Sequence, residues 1–349
     1  MPSKKMSKVT LHDVARVAGV SRGAAGKVLN NCTGSIRVGK EARERIKKAA
    51  KELGYRGNMA AAMLAGKKSP LVGVMIDSHS SFRRMKLLAE LERAATRRNL
   101  RLMISWTHDN IEQMRTNRRE MESFGVRGLI CLAHDYYEFK DDVIELFATD
   151  CSNVVFLEEP FFPGSSFVVS SNEDAMTGLC GYLKSIGRRR IALLHGSLQW
   201  HSEREQERVF KSALIRNGMV FDPEMVQYLE IEGDPMQKSR NTLRDFILTQ
   251  RPDAVIADDA PSLLCLQKAV YNTGIKIPED IVLCGCNNDP LFGLFSPPVI
   301  SLAPSYTEIA EALLDAIEAD MPGCQAVIKA RFSAPQAVEK IDVPEVLTV

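Results

Sequence analysis

The 349 residues are enough for two or three domains, and the shares of hydrophobic (45%) and charged (26%) residues are those of a folded globular protein. This composition excludes a collagen-like or wholly disordered chain. The longest uncharged stretch, Pro290–Thr307, contains four prolines and cannot be a membrane-spanning helix. We expect a cytoplasmic protein, because no apolar segment resembling a signal peptide is present and the eight cysteines form no CxxC pair.

The charge is distributed unevenly along the chain. Residues 1–70 carry 16 Lys/Arg against four Asp/Glu, a net charge of +12, whereas the remaining residues carry 29 against 40, a net charge of −11. A basic segment on an acidic body indicates a binding site for a polyanion. On charge alone, a solvated basic face remains an equal alternative.

Residues 10–55 have the pattern of three short helices. Thr10 is a candidate cap for the first helix, and Gly19-Val20 forms a tight turn after it. Ser21 then has the chemistry to cap a second helix that ends near Leu29, and a third helix follows over about 41–53. Two helices joined by a glycine-containing turn predict a helix-turn-helix, whose second helix lies in the DNA major groove.

From residue 70 onward, short apolar runs alternate with amphipathic helices. The runs, in chain order, are Leu71–Ile76, Leu100–Trp106, Gly128–Ala133, Val154–Leu157, Val168–Val169, Ile191–Leu194, Val226–Ile231, Ala254–Ala257 and Ile281–Cys286. Helical spacing lies between them, over 83–98, 110–123, 140–148, 173–186, 203–217, 235–250 and 261–273. Uncharged strands between helices predict doubly wound parallel sheets of the α/β class, in two similar lobes with a ligand cleft at the carboxyl ends of the strands.

These patterns give a division into three parts. We predict an all-α headpiece over 1–57, a hinge helix and linker over 58–69, and a sensing and dimerisation domain over 70–349. Within the sensing domain, the first lobe is expected over about 70–162 plus 300–322. The second lobe is expected over about 163–299 plus 323–349.

Several stretches resemble the lactose/galactose repressor (LacI/GalR) family of bacterial transcription regulators. Those of the headpiece and hinge are Thr10–Ala15, Ala18–Ser21, Lys27–Asn30, Glu52–Arg56 and Leu64–Lys67. Those of the body are Arg189–Leu194 and Pro278–Ile281, which resemble the family's periplasmic-binding-protein-like sensor. The resemblance implies a dimeric regulator, expected to be a repressor, that binds an inverted-repeat operator in double-stranded DNA and responds to a small-molecule effector.

The candidate DNA-binding residues follow from the resemblance and from the chemistry of Arg22. An arginine at the start of the second helix can donate two hydrogen bonds to guanine, although a simple phosphate contact is the alternative. Leu64 occupies the position of the leucine with which the family opens a base step, and an ordinary linker residue is the alternative. The complete set is Thr10, Ser21, Arg22, Gly23, Lys27, Asn30, Asn58 and Leu64.

The candidate effector cleft departs from the family pattern. Gln206 stands where the family commonly has an arginine that grips the effector, and Asn287 stands where acids are usual. A neutral amide beside Asp258 disfavours anionic effectors and favours a sugar or another neutral or cationic metabolite. The predicted lining is His79, Phe82, Trp200, Ser202, Gln206, Asp258 and Asn287. Alternatively, Trp200 fills a gap and Asp259 caps a helix.

No motif indicates catalysis or a cofactor. The sequence has no GxGxxG after a strand and no HExxH, and its six histidines do not cluster into a metal site. We therefore predict a non-enzymatic homodimeric regulator without cofactor or membrane partner. Two alternatives stay open: the same headpiece on a body without an effector, and a solute-binding receptor. The first keeps the DNA-binding segment, whereas the second leaves the charge of +12 unexplained.

Overall fold

The computed structural model describes most of the chain, with gaps. The described residues are 9–30, 37–55, 63, 67–77, 82–108, 110–133, 139–148, 153–195, 201–229, 236–287, 289–297, 299–319 and 321–332. Only the backbone is described at 30, 82, 201–204, 236–239 and 290. The chain divides into two compact units, Met1–Pro70 and Leu71–Val349, which we call the headpiece and the sensor.

The headpiece contains the three predicted helices, α1 (Leu11–Ala18), α2 (Arg22–Asn30) and α3 (Lys40–Glu52). Their apolar faces meet in one small core, in which Val14, Ala25 and Ile46 are fully buried. Gly19 ends α1 in the left-handed conformation (φ 64°), which a glycine adopts without the strain that a Cβ would bring. The helix-turn-helix prediction is therefore confirmed at the level of the fold.

The sensor alternates strands and helices as predicted. Its strands are β1 (Leu71–Ile76), β2 (Arg101–Trp106), β3 (Leu129–Cys131), β4 (Val154–Leu157), β5 (Ser166–Ser171), β6 (Ile191–His195), β7 (Val226–Tyr228), β8 (Ala254–Ala257), β9 (Val282–Gly285), β10 (Ile300–Ala303), β11 (Gln325–Lys329) and β12 (Arg331–Phe332). Its helices are α4 (Phe82–Arg97), α5 (Ile111–Ser123), α6 (Lys140–Phe147), α7 (Glu173–Ser185), α8 (His201–Arg216), α9 (Met236–Gln250), α10 (Ala260–Val270) and α11 (Tyr306–Ala319). Short 3-10 helices lie at Pro223–Met225 and Pro290–Leu294.

The strands form two six-stranded sheets. The first has the order β11-β5-β4-β3-β1-β2 and is parallel throughout, and the second has the order β12-β10-β9-β8-β6-β7. Among the described strands of the second sheet, β12 runs antiparallel to its neighbour and the other pairs are parallel. Helices cover both faces of each sheet, so the central strands are buried on both sides and consist of uncharged apolar residues. The predicted α/β class is confirmed.

The strand pairing corrects the predicted limits of the two lobes. The prediction put β5 in the second lobe, but Val155 pairs with Ser166 and Val168 pairs with Ala326, so β5 and β11 belong to the first sheet. It also put 300–303 in the first lobe, whereas β10 pairs with β9 in the second sheet. The reason is that β5 and β10 each join the sheet of the preceding strand before the chain passes to the other lobe, and local sequence patterns do not encode which strands pair.

We call the parts built on the first and second sheets lobe 1 and lobe 2. In the described part of the chain, the polypeptide passes between them three times, near Asn172, at Pro304-Ser305 and at Ala330. Helix α11 packs on lobe 1 directly after the second passage. None of the described helices is long and apolar enough to span a membrane.

Candidate functional site

The first helix of the headpiece begins with a reciprocal cap. The Asp13 backbone N–H donates to Thr10 Oγ1 (3.3 Å), and the Thr10 backbone N–H donates to Asp13 Oδ2 (3.0 Å). Hydrogen bonds from the Thr10 hydroxyl and backbone hold the pKa of Asp13 below its usual value. Thr10 thus caps α1 as predicted and stands at the helix N-terminus, where the backbone favours an anion.

The second helix begins in the same manner. The Ala24 backbone N–H donates to Ser21 Oγ (3.1 Å), which confirms the predicted cap. Arg22 and Gly23 follow in the first turn and are exposed, while Ala25 and Val28 point into the core. The side chain of Arg22 therefore extends from the N-terminal turn of α2, the part of a recognition helix that meets base edges.

Gly26 has a packing role that the sequence did not reveal. A Cβ built on Gly26 would lie 3.3 Å from Leu11 Cδ2, so α1 and α2 approach closely at this point. Gly26 therefore lies at a contact between the two helices and does not face away from the protein. Lys27, one residue on, is half-buried.

Part of the predicted site lies outside the described residues. This holds for Asn58 and Leu64 in the hinge segment and for His79 and Trp200 in the sensor. It holds also for the side chains of Asn30, Phe82 and Ser202. Their roles remain predictions.

In lobe 2, three side chains from different elements meet at the carboxyl ends of the strands. Asp258 follows β8, and its Oδ2 lies 2.9 Å from Nδ1 of His195, the fully buried last residue of β6. Gln206 on α8 donates its amide N–H to the other carboxylate oxygen, Oδ1. The same amide nitrogen lies 3.0 Å from Cys286 Sγ. Both oxygens of Asp258 are thus fixed by lobe 2 itself, with 15% of its side chain exposed.

The helix register at Gln206 is well defined by its neighbours. Gln206 is 8% exposed and faces the strand ends, whereas Arg208 is 56% exposed and pairs with Glu173 and Glu205. Residues two apart on a helix point about 200° apart, so Arg208 does not face the strand ends that Gln206 contacts. A neutral amide therefore occupies the place that the resemblance gives to an arginine.

The neighbouring polar residues hold backbone positions. Asn287 Nδ2 donates to the Asp258 backbone oxygen (2.6 Å), and the Asp259 carboxylate accepts the Ser262 backbone N–H (2.9 Å) as the cap of α10. The alternative role of Asp259 as a helix cap is therefore the one observed. Burial, followed by the charge of Asp258, raises the pKa of Cys286 well above its ordinary value, so this thiol stays protonated.

Lobe 1 supplies groups that the sequence did not single out. Arg83 lies in the first turn of α4, and its side chain hydrogen-bonds Tyr306. Burial lowers the pKa of Arg83, but the nearby Tyr306, Asp258 and Glu158 outweigh it, so the pKa is raised and the guanidinium stays charged. Next to it, Arg84 Nε lies 3.5 Å from Oδ2 of Asp77, whose side chain is 2% exposed. These charged side chains make the region between the lobes polar, and the described residues contain no group of three or more potential metal ligands.

These features define a class of protein: a helix-turn-helix headpiece followed by a two-lobed α/β sensor with a polar cleft. Residues 10–58 match the family described as bacterial regulatory proteins, lacI family, and residues 180–340 match the periplasmic binding protein-like domain. The lactose operon repressor of Escherichia coli K12 is 26% identical over 318 residues, which cover 89% of this chain and 84% of that protein. Catabolite control protein A of Staphylococcus xylosus is 26% identical over 302 residues, covering 85% and 88%.

Solved structures agree in fold. The lac repressor dimer bound to operator and the anti-inducer ONPF has a TM-score of 0.77 at 23% identity, covering 94% of this chain and 98% of that chain. The complex of the transcriptional regulator CelR with cellobiose has a TM-score of 0.62 at 21% identity, covering 93% and 98%. The chain thus combines a lacI-family DNA-binding domain with a periplasmic-binding-protein-like domain, and the regulators that it resembles are LacI/GalR-family repressors. It is a DNA-binding regulator and not an enzyme, and the alternative of a solute-binding receptor is set aside.

Proposed function

We propose that this protein is a cytoplasmic repressor that binds a pseudo-palindromic operator as a homodimer and changes its DNA affinity when a small molecule binds between the lobes. The observation that carries the proposal is the headpiece: a capped helix α2 with Arg22 exposed in its first turn, within a segment of net charge +12. The lac repressor, which has this fold, is bound to operator DNA as a dimer in its solved structure.

The proposed DNA contacts divide into two kinds. Arg22 donates to guanine in the major groove, whereas Thr10, Ser21 and Lys27 contact phosphates at helix N-termini or through charge. Gly23 allows close approach of the backbone, and Asn30 lies at the last position of α2. Asn58 and Leu64 remain proposed contacts of the hinge segment in the minor groove.

The dimer is supported by an apolar surface on lobe 2. Leu264 on α10 is 47% exposed, and Leu291 and Leu294 on the neighbouring 3-10 helix are 43% and 79% exposed. We call these three residues the leucine patch. They border a shallow cavity of about 260 Å³, which is also lined by Gln267, Phe295 and Ser296 and contains no charged residue.

A second copy of the chain is the occupant that this patch fits. An isologous two-fold contact sets each surface against itself, so charges would face like charges, whereas an uncharged patch meets no repulsion. A protruding leucine beside a cavity is also self-complementary, because Leu294 of each copy can fill the cavity of the other. We therefore propose that the patch contributes to the dimer interface.

The proposed effector is a neutral or cationic metabolite. Gln206 cannot pair with an anion as an arginine would, and the two carboxylates of Asp258 and Glu158 outnumber the single positive charge of Arg83 beside them. The alternative of a regulator without an effector is favoured by one observation: Gln206, His195, Asp258 and Asn287 are already bonded to one another or to their neighbours.

Footprinting on sheared genomic DNA of the source organism tests the central proposal. We expect protected inverted repeats with half-sites about one helical turn apart. Gel shifts on a recovered site should weaken with salt, by about 0.9 logarithmic units per tenfold change for each neutralised phosphate. Salt-independent binding, or no protected repeat, would contradict it.

A thermal-shift screen tests the effector. A ligand that binds only the folded state adds about 2.7 kcal/mol at 100 times its dissociation constant, which shifts the melting temperature measurably. Stabilisation by neutral sugars, nucleosides or amines supports the proposed class, and stabilisation by sugar phosphates or dicarboxylates alone contradicts it. If no class of ligand raises the melting temperature, the result supports the alternative of a regulator without an effector.

A further inference from the structure

Tyr306 stands at the second passage between the lobes. It is the first residue of α11, its ring is 8% exposed, and it packs in the apolar core of lobe 1. Its hydroxyl donates to the backbone oxygen of Asn287 (3.1 Å), which follows β9 in lobe 2. One buried hydrogen bond therefore joins the two lobes beside the segment about which they would rotate.

This bond is part of a longer chain of contacts. On the lobe 1 side, the Arg83 side chain hydrogen-bonds the same tyrosine. On the lobe 2 side, Asn287 Nδ2 donates to the backbone oxygen of Asp258 (2.6 Å), whose carboxylate is held by His195 and Gln206. The order is thus Arg83, Tyr306, Asn287 and Asp258, from the first turn of α4 to the end of β8.

We propose that Arg83, Tyr306, Asn287 and Asp258 form an interlobe latch that holds the sensor in one arrangement without a ligand. The regulatory role of the latch rests on the proposed function, because an effector would act by replacing or breaking the latch. The latch itself requires neither DNA nor effector.

Three physical features support this role. Rotation of the lobes must change the distance between the Tyr306 hydroxyl and the Asn287 oxygen, since the two atoms belong to different lobes. A hydrogen bond in a buried, low-dielectric site is expensive to leave unmade. Burial raises the pKa of Tyr306, so the hydroxyl keeps the proton that it donates at neutral pH.

The charges around the latch act in the same direction. Arg83 comes from lobe 1, and the carboxylate of Asp258 in lobe 2 lies within its electrostatic reach. The pair Arg84–Asp77, by contrast, lies wholly within lobe 1. Neutralising Arg83 should therefore loosen the contact between the lobes, while neutralising Arg84 should not.

The test uses the full chain, three single variants and the double variant that combines Tyr306→Phe with Arg83→Gln. Tyr306→Phe keeps the buried ring and removes only the hydroxyl, and Arg83→Gln removes the charge. The matched control is Tyr228→Phe, which removes a tyrosine hydroxyl that donates to Glu207 within lobe 2. The readouts are the rate of limited proteolysis between the lobes and the radius of gyration from small-angle X-ray scattering.

We expect Tyr306→Phe to speed interlobe cleavage about fivefold and to increase the radius of gyration, with Tyr228→Phe unchanged. Adding Arg83→Gln to Tyr306→Phe should change little further, because residues in one network are not additive. Equal cleavage rates and radii of gyration for Tyr306→Phe and Tyr228→Phe would overturn the latch. Fully additive effects of Tyr306→Phe and Arg83→Gln in the double variant would overturn it too. A wild-type chain that binds no DNA would contradict the proposed function and leave this result intact.

Discussion

Arg22 and Lys27 lie on the same short helix but can do different things with DNA. The guanidinium of Arg22 presents a planar fork that matches two acceptors on guanine, whereas the ammonium of Lys27 is a point charge that neutralises a phosphate. Replacing Arg22 with Ala should lower affinity by about 1–3 kcal/mol for the site with guanine at the contacted position, and by less for sites without it. Gel shifts on operator variants measure this difference.

The matched variant is Lys27→Gln. It should weaken binding to all operator variants about equally and reduce the salt slope by about 1 for each phosphate that is no longer neutralised. If Arg22→Ala also weakens all variants equally, Arg22 is a phosphate contact and the proposed base recognition is wrong.

Asp259 offers a pH-dependent test at a single residue. Desolvation raises the pKa of this carboxyl, with the nearby Asp258 acting in the same direction, while the cap bond to Ser262 opposes it. The folded state therefore holds the proton more tightly than the unfolded state, and ionisation lowers stability as pH rises through the two pKa values. This loss of stability is absent at pH values below the pKa of Asp259 in the unfolded state, which is about 3.9, and it is complete at pH values above the pKa in the folded state.

Asp259→Asn removes this charge and keeps an oxygen that can cap α10. We expect a higher melting temperature than wild type at neutral pH and a difference that vanishes as the pH falls towards about 4. Asp259→Ala loses the cap and should destabilise by about 1 kcal/mol. A gain for Asp259→Asn that is independent of pH would contradict the explanation by desolvation.

At the scale of elements, α2 is weakened by Gly26. Ala is better than Gly in a helix by about 1 kcal/mol, and the new Cβ would meet only the tip of the Leu11 side chain, at 3.3 Å. We expect Gly26→Ala to stabilise the headpiece and to increase the hydrogen-exchange protection of α2 amides about two- to fivefold. Gly285→Ala is the contrasting variant, because its Cβ would lie 2.2 Å from the ring of Phe292 and should destabilise lobe 2. Reduced protection of α2 in Gly26→Ala would show that Leu11 cannot shift.

The elements were largely predictable, and their pairing was not. Strands β4 (Val154–Leu157) and β8 (Ala254–Ala257) have the predicted ends, because an uncharged apolar run between polar flanks is a local signal. The assignment of β11 to lobe 1 depends on hydrogen bonds between residues more than 150 positions apart. Such contacts leave no trace in a local pattern, so the predicted lobe limits were wrong there.

The same distinction holds for the cleft. Gln206, Asp258 and Asn287 were predictable because each follows a strand or faces one at a position that the family resemblance marks. Arg83 and Tyr306 were missed, since each looks in sequence like an ordinary residue in the first turn of an amphipathic helix. Their contact arises only when α4 and α11 pack side by side in lobe 1.

At the scale of the whole molecule, the distribution of charge determines which part of the chain binds DNA. The segment of +12 attracts the phosphate backbone, and the remainder, at −11, is repelled by it. A nearly neutral protein can therefore bind DNA in one orientation only, with the headpiece facing the duplex. This preference is electrostatic, so it should fade with increasing salt over the range in which specific binding weakens.

The oligomeric state is the prediction that links the fold to the operator. One headpiece covers one half-site, so an inverted repeat requires two chains, and the leucine patch supplies an uncharged surface for their contact. Leu294→Glu would place a carboxylate in the uncharged cavity of the partner copy, where burying an unpaired charge is unfavourable. We expect light scattering to give a mass of one chain for this variant and two chains for the wild type.

The consequence for DNA binding follows from avidity. Losing the second headpiece should lower operator affinity by at least about 100-fold, since the second half-site is no longer bound within one complex. Val220→Glu is the control, because Val220 is 88% exposed and lies outside the leucine patch. A wild-type mass near four chains would contradict the prediction that the proline-broken tail 341–349, outside the described residues, cannot form a tetramerising coiled coil. A Leu294→Glu variant that stays dimeric would instead show that the interface lies elsewhere on the sensor.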